Sequence, residues 1–208
     1  MKIGVFGGTF DPVHIGHLTV ADEVRERLDL AEVLFVPAGQ PYLKTDIPVA
    51  KAEQRLQMVR LAIADKSYFG LSAMEIERDG PSYTVDTIAE LKKRFDDRDE
   101  LYFILGWDSL TELSKWHKPR WLISMCRLVA VPRVGYAVSN LNFLEAKISG
   151  LLERLIILDK PELDISASVI RDRVARDLSI KHLVPEAIEK YIIEQGLYSA
   201  GNRCIKSP

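Results

Sequence analysis

Residues 2–18 read KIGVFGGTFDPVHIGHL: a short apolar run, a glycine pair, and two histidines three positions apart. The apolar run Lys2–Phe6 ends at the glycines, as a short buried strand does, and we predict a strand there. The apolar residues that follow are spaced by three or four positions, which is typical of one face of a helix. They are Leu18, Ala21, Val24 and Leu28. The stretch therefore predicts a strand, a glycine turn and an amphipathic helix.

Short apolar runs recur along the rest of the chain, with helix-length segments between most of them. They are Glu32–Val36, Tyr68–Ala73, Leu101–Leu105, Arg127–Val131 and Arg154–Leu158. Continuous apolar strands alternating with helices are typical of a parallel sheet covered on both faces, with right-handed crossovers. The pattern predicts an α/β fold with a doubly wound, mainly parallel sheet, and ligands at the carboxyl ends of its strands.

The chain becomes helical after Leu158. We predict one helix from about Ser166–Ser168 and another from Pro185, which suits a first helical position, to Gly196, which suits a helix end. We expect the helical part, residues 165–198, to pack as structure and residues 199–208 to form a flexible tail. Because the sequence has no repeat, low-complexity tract or long linker, residues 1–208 are expected to form a single domain.

Composition restricts the classes of partner. The 208 residues are 47% hydrophobic and carry a net charge of only -2, so a core is expected and a global positive field for nucleic acid is not. Cys126 and Cys204 lie far apart and outside any zinc-ligand spacing. No apolar run approaches membrane-spanning length, and the N-terminus does not resemble a signal peptide. We predict a cytoplasmic protein without nucleic-acid or membrane partners.

The glycine pair and the histidines could build a phosphate site. Without side chains, Gly7 and Gly8 let backbone N–H groups approach a phosphate closely. His14 and His17 would face the same pocket at a helix start and donate hydrogen bonds to oxygens that gain charge as a phosphoryl bond breaks. Thr9 can add a hydroxyl donor. The segment therefore predicts phosphate chemistry by positioning.

Other interpretations fit parts of this segment. A glycine pair alone can be a simple turn, and two histidines alone an ordinary helix entry. An HxxH pair can supply two metal ligands, but no third ligand follows nearby, so we predict none from protein side chains. Residues 4–9, GVFGGT, lack the GxGxxG spacing, which disfavours a dinucleotide-binding oxidoreductase.

Residues 7–18 resemble the signature of the HxGH nucleotidyltransferase superfamily, with HIGH at positions 14–17 as its HxGH element. The superfamily's second element, an ISSTxIR-type stretch, resembles ISASVIR at Ile165–Arg171. Ala167 stands where the family usually has serine, which affects a contact from that position but not those from Ser168 or Arg171. Taken alone, this stretch is equally typical of helix capping.

Further segments resemble the nicotinate-nucleotide adenylyltransferase family over nearly the whole chain. They are PSYTVDT at Pro81–Thr87, the GxDS element at Gly106–Ser109, Trp116, the PPHK-type loop at Gln40–Lys44, and Arg133 with Gly135. Leu43 replaces a frequent histidine, and Val134 replaces the proline of Arg-Pro-Gly. From the residues alone, Asp108 could instead cap a helix, Trp116 could pack in the core, and Arg133 could be a solvated surface residue.

The resemblance implies a Rossmann-like nucleotidyltransferase fold with a helical C-terminal part. It implies adenylyl transfer from ATP, with Mg²⁺, to nicotinate mononucleotide, giving deamido-NAD and pyrophosphate in NAD biosynthesis. The implied catalytic residues are His14, His17, Lys44 and Arg171. The implied ATP contacts are Gly7, Gly8, Thr9, Phe10, Gly16, Ser168 and Ile170. The implied nicotinate mononucleotide contacts are Ser82, Tyr83, Thr84, Gly106, Asp108, Trp116 and Arg133.

Two alternative functions remain at this point. Another superfamily member, such as pantetheine-phosphate adenylyltransferase or a nicotinamide-mononucleotide enzyme, is the nearest enzymatic one, and Pro81–Thr87 with Trp116 favours nicotinate over it. The other is a nucleotide-binding module without turnover. The presence of the four implied catalytic residues, His14, His17, Lys44 and Arg171, disfavours it. The sequence leaves the oligomeric state open, including a homo-oligomer.

Overall fold

A parallel sheet forms the centre of the computed structural model, which describes residues 1–40, 49–132, 134–135, 141–161 and 163–199. Within those ranges six strands pair in the order β3-β2-β1-β4-β5-β6, all parallel. The strands are β1 (Lys2–Gly8), β2 (Glu32–Pro37), β3 (Phe69–Leu71), β4 (Glu100–Gly106), β5 (Arg127–Val131) and β6 (Leu155–Ile157). The order reverses between β1 and β4, so the predicted doubly wound α/β fold is confirmed.

Helices connect the strands and follow the last one. They are α1 (Ile15–Leu28), α2 (Ala52–Ala62), α3 (Met74–Glu77), α4 (Thr84–Arg94), α5 (Trp107–Thr111), a 3-10 helix (Leu113–Lys115), α6 (Pro119–Met125), α7 (Leu141–Lys147), α8 (Leu151–Arg154), α9 (Ala167–Ala175) and α10 (Glu186–Glu194). None of the helices in the described ranges is long and apolar enough to cross a membrane.

Two apolar clusters cover the two faces of the sheet. Side chains alternate along a strand, and the alternation is visible in β4: Ile104 packs with α1, α2, α9 and α10, whereas Phe103 and Leu105 pack with α4 and α6. On α1, Ala21 and Val24 are fully buried in the first cluster, as the predicted helical stripe requires. Burial on both faces explains why the strands read as continuous apolar runs.

The strand limits differ from the predicted ones at functional positions. Gly7 and Gly8 were expected in a turn after the strand, but they are the last two residues of β1 and pair with Val36 and Pro37 of β2. Pairing needs only backbone groups, so glycine can end a strand. The turn follows instead at Phe10, which has a positive φ of 51°. Strand β3 covers Phe69–Leu71 and is shorter than the predicted Tyr68–Ala73, because α3 begins at Met74.

The C-terminal helices begin close to the predicted positions. Ser166 precedes α9, and its Oγ accepts from the N–H of Val169 at 3.3 Å, which caps the helix. Pro185 lies just before α10, which packs against α2. Most of the predicted tail lies outside the described residues, and the single-domain organisation stays a prediction.

Candidate active site

A cavity of about 520 Å³ opens at the carboxyl ends of β1 and β4, where the strand order reverses. Open α/β sheets bind ligands at such a point. Most of the predicted site residues line this one cavity: Gly7, Gly8, Thr9, Phe10, His14, Gly16, His17, Ser82, Thr84, Gly106, Asp108, Trp116, Ser168 and Arg171. The fold therefore brings together distant segments: Asp11 and Arg171, which both line the cavity, are 160 positions apart in the sequence.

Two predicted site residues, Ile170 and Tyr83, do not line the cavity. The side chain of Ile170 is fully buried in the core next to α1 and does not line the cavity. The ring of Tyr83 stacks on His117, with 4.4 Å between the ring centroids, and is also absent from the lining. Lys44 and Arg133 lie outside the described residues.

The two histidines form a fixed pair at the start of α1. Their rings stack with 3.6 Å between centroids. The backbone N–H of His14 donates to Nδ1 of His17 at 3.2 Å. In a neutral imidazole an accepting Nδ1 leaves the proton on Nε2. His17 in this tautomer therefore presents Nε2–H as a hydrogen-bond donor.

Gly16, between the histidines, leaves room for the first ring. A Cβ at this position would lie 3.1 Å from Nδ1 of His14, closer than an ordinary contact. Any other residue would therefore displace the His14 imidazole by a few tenths of an ångström. This packing explains the glycine of the HIGH segment, for which the sequence pattern alone offers no reason.

Helix α9 brings a second basic group to the cavity. Arg171 lies in its first turns, and Nη1 donates to the carbonyl oxygen of Asp11 at 2.7 Å. The same nitrogen lies 3.8 Å from Oδ2 of Asp11. Ser166 caps the helix and its Oγ lies 3.1 Å from that of Ser168. The second motif thus contributes both a helix start and a guanidinium, as the sequence predicts.

Arg55 of α2 supports the site and is not identified by the sequence reasoning. Its side chain is 1% exposed, and its guanidinium donates to four carbonyl oxygens: Thr9 at 2.9 Å, Ala38 at 2.6 Å, Gly39 at 3.1 Å and Ala50 at 3.0 Å. Burial lowers its pKa, which the negative charge of Asp11 partly offsets. Arg55 thus joins the turn after β1 to the loop after β2.

A second buried network lies beside the predicted nicotinate segment. Glu75 of α3 lines the cavity, and the hydroxyl of Thr87 donates to its Oε1 at 2.6 Å. Nearby, the Oγ of Ser82 accepts from the N–H groups of Gly39 and Gln40 at 2.9 and 3.2 Å. Burial raises the pKa of Glu75. The hydroxyl of Ser82 therefore helps to hold the loop after β2.

The segment after β4 contributes a carboxylate and an aromatic ring. Gly106, rather than Asp108, precedes α5, and a Cβ on Gly106 would lie 2.5 Å from Oδ1 of Asp108. The glycine therefore makes space for that carboxylate at the cavity. Trp116 packs edge-on against Phe103, with 6.0 Å between ring centroids, and also lines the cavity. Both interpretations of this tryptophan, core packing and ligand contact, fit its position.

The residues of the cavity suit an anion better than a metal held by protein alone. Among the described residues, no group of three His, Cys, Asp or Glu side chains could hold a metal ion. Side-chain donors that line the cavity include the histidine pair and Arg171. A phosphate is the ligand that such donors bind.

Known proteins resemble this chain in sequence and fold. A family model described as cytidylyltransferase-like matches residues 5–173. A protein from Dehalococcoides mccartyi, named "Probable nicotinate-nucleotide adenylyltransferase", is 52% identical over 198 residues, which cover 95% of this chain and 97% of the relative. One of the same name from Moorella thermoacetica is 42% identical over 200 residues, covering 95% of this chain and 91% of the relative.

A solved structure shows the same fold. Plasmodium falciparum nicotinic acid mononucleotide adenylyltransferase complexed with NaAD has a TM-score of 0.78 at 21% identity, covering 95% of this chain and 97% of that one. At 21% identity this structural match shows the fold, whereas the sequence relatives identify the family. With 52% identity across 95% of its length, the chain belongs to the nicotinate-nucleotide adenylyltransferase family.

Proposed function

We propose that the protein transfers the adenylyl group of ATP to nicotinate mononucleotide, giving deamido-NAD and pyrophosphate. The observation that carries the proposal is that one cavity is lined by residues predicted for both substrates. The HIGH histidines and Arg171 are those predicted for ATP, and Ser82, Thr84 and Trp116 are those predicted for nicotinate mononucleotide. The names of relatives that are 52% and 42% identical support the same reaction.

The reaction needs alignment and charge stabilisation. A phosphate oxygen of nicotinate mononucleotide attacks the α-phosphorus of ATP, and the bond to the β-phosphate oxygen breaks to release pyrophosphate. No protein nucleophile is required, because the substrate provides its own. Nε2–H of His17 would donate to a phosphate oxygen that gains charge, and Arg171 would bind the β- and γ-phosphates, together with Lys44.

The nicotinate half of the site rests on α4 and the segment after β4. Helix α4 begins at Thr84, and the partial positive charge of a helix start favours a carboxylate over a neutral amide. Trp116 would stack on the pyridine ring, and Asp108 would accept hydrogen bonds from a ribose hydroxyl. The pyridine ring and the ribose are common to nicotinate and nicotinamide mononucleotide, so the start of α4 is the feature that supports nicotinate as the substrate.

Mg²⁺ would enter with ATP. When bound, the ion would neutralise charge on the phosphates during transfer. The carboxylates of Asp11 and Asp108 line the cavity, but no group of three protein ligands exists among the described residues. Phosphate oxygens and water, which Mg²⁺ prefers as ligands, would therefore hold most of its coordination sphere.

The test is pyrophosphate release with ATP and Mg²⁺, comparing nicotinate mononucleotide, nicotinamide mononucleotide and phosphopantetheine at equal concentration. We expect the fastest release with nicotinate mononucleotide. Preference for either other substrate would keep the enzyme class and overturn the substrate. No release with any of the three would favour a nucleotide-binding module without turnover.

A further inference from the structure

The carboxylate of Asp11 lies buried next to the cavity and connects three distant parts of the chain. Asp11 is 3% exposed. Its Oδ1 accepts from the hydroxyl of Tyr198 at 2.6 Å and from the N–H of Ala50 at 3.1 Å. Its Oδ2 has no hydrogen-bond partner among the described residues and lies 3.8 Å from Nη1 of Arg171. Asp11 thus faces the terminal segment on one oxygen and the phosphate-binding arginine on the other.

Arg171 depends on Asp11 for its position. Its Nη1 contacts both the carbonyl oxygen and the carboxylate of that residue. An arginine side chain has several rotatable bonds, so two contacts to one buried residue restrict where its guanidinium can lie. The Asp11 carboxylate therefore supplies one of the two contacts that hold this guanidinium.

Tyr198 and the N–H of Ala50 together hold the orientation of that carboxylate. Tyr198 follows α10 and reaches Asp11 across 187 positions of sequence. Burial, and then the negative charge of Asp11, raise the pKa of its hydroxyl, so it stays a donor at neutral pH. Tyr198 is not among the residues that line the cavity, so a direct contact with substrate is not part of its role.

We infer that Tyr198 is a positioning residue for ATP, which acts through Asp11 on Arg171. This inference rests on the proposed function for its chemistry. The sequence assigns the C-terminal segment a packing role only. The contact with Asp11 adds a link from the terminal segment to the phosphate site.

Tyr198→Phe tests the link because it removes the hydroxyl and keeps the ring. We expect kcat/KM for ATP to fall about tenfold, the size expected for losing one hydrogen bond to a charged group. KM for nicotinate mononucleotide should stay within twofold of the wild-type value, because its predicted contacts lie on other segments. In an Arg171→Ala background, the same change should lower kcat/KM for ATP by less than twofold.

An equal loss in both backgrounds would overturn the inference, since Tyr198 would then act independently of Arg171. An unchanged kcat/KM for ATP in the single variant would overturn it as well. Ile192→Val is the matched structural control, because Ile192 is buried in α10 and its apolar side chain cannot hydrogen-bond to Asp11. It should lower the melting temperature without changing kcat/KM for ATP, whereas a loss equal to that of Tyr198→Phe would indicate general loosening and overturn the inference.

A binding measurement separates this inference from the proposed function. If the wild-type protein releases no pyrophosphate with nicotinate mononucleotide, the proposed function fails. In that case the dissociation constant for ATP tests the inference without relying on catalysis. Tyr198→Phe should raise it about tenfold, and an unchanged value would overturn the positioning role.

Discussion

The backbone N–H of His14 donates to Nδ1 of His17 at 3.2 Å while the two rings stack with 3.6 Å between centroids. The hydrogen bond sets the tautomer of His17, and the stacking limits its rotation. Preorganised donors lower a barrier because they need not reorient as charge develops. The spacing of the two histidines in HIGH therefore also sets the tautomer of His17 and restricts the rotation of its ring.

His17→Asn removes the Nε2–H donor while its amide oxygen can still accept from His14. We expect turnover to fall about 100- to 1000-fold, the cost of removing one donor to a transition-state oxyanion. Steady-state pyrophosphate release measures the loss. Circular dichroism should show an unchanged fold. The control is His182→Asn, at an exposed position with a positive φ that asparagine tolerates, and it should keep wild-type turnover. Near-normal turnover in His17→Asn would contradict the role of Nε2.

Gly16→Ala should separate activity from stability. The added Cβ would lie 3.1 Å from Nδ1 of His14, so the imidazole must shift. We expect turnover to fall roughly tenfold, since small misplacements of reacting groups are costly. Alanine favours a helix over glycine by about 1 kcal/mol, so the melting temperature should not fall.

Thr19→Ala is the control for this prediction, because it changes the helix propensity of α1 at a position away from His14. It should leave turnover unchanged. If Gly16→Ala retained full turnover, the position of the His14 ring would not limit the reaction.

The sequence predicts the parts of the molecule that depend on local pattern. The spacing of Ala21 and Val24 predicts α1, and the apolar run of β5 predicts its limits, Arg127–Val131, as observed. The predicted order of strands and helices follows from the same periodicity. The lining of the cavity by His14, His17 and Arg171 was also expected, because the motifs that carry them lie at a strand end and at helix starts.

The supporting groups could not be predicted in this way. Arg55 binds carbonyl oxygens of residues up to 46 positions away, and a carbonyl is present in every residue, so its partners leave no sequence signal. Tyr198 and Asp11 are 187 positions apart. Glu75 gives no sequence signal that its side chain is buried. The donors of the site follow from motifs, whereas the groups that hold them depend on tertiary contacts.

Arg55→Lys should destabilise the protein although it keeps the positive charge. Lysine keeps the positive charge but cannot donate to four separate carbonyl oxygens, so several would be left buried and unsatisfied. We expect a loss of about 3 kcal/mol in the free energy of unfolding, measured by urea denaturation. Arg60→Lys is the matched control, at an exposed position of the same helix, and should change it by less than about 0.5 kcal/mol. Equal effects of the two variants would show that the four bonds of Arg55 add little.

Glu75→Gln should change how stability depends on pH. Burial raises the pKa of Glu75 above its ordinary value of 4.5, against the hydrogen bonds of Thr87 and Ser82 and the charge of Arg78, which lower it. Well below pH 4.5 the carboxyl is neutral in both the folded and the unfolded chain. As the pH rises, the unfolded chain loses this proton first, so the folded state loses relative stability until the pH passes the folded pKa. Glutamine does not titrate.

The stability of Glu75→Gln relative to wild type should therefore increase as the pH rises from 4.5 towards neutrality, by about 1.4 kcal/mol for each unit by which the pKa is raised. Urea denaturation at a series of pH values measures the difference. Glu77→Gln, on the exposed side of the same short helix, is the matched control for replacing a carboxylate by an amide outside the buried network. A difference for Glu75→Gln that does not vary with pH would mean that its carboxyl titrates alike in the folded and unfolded chains, and that its burial costs the charged form little.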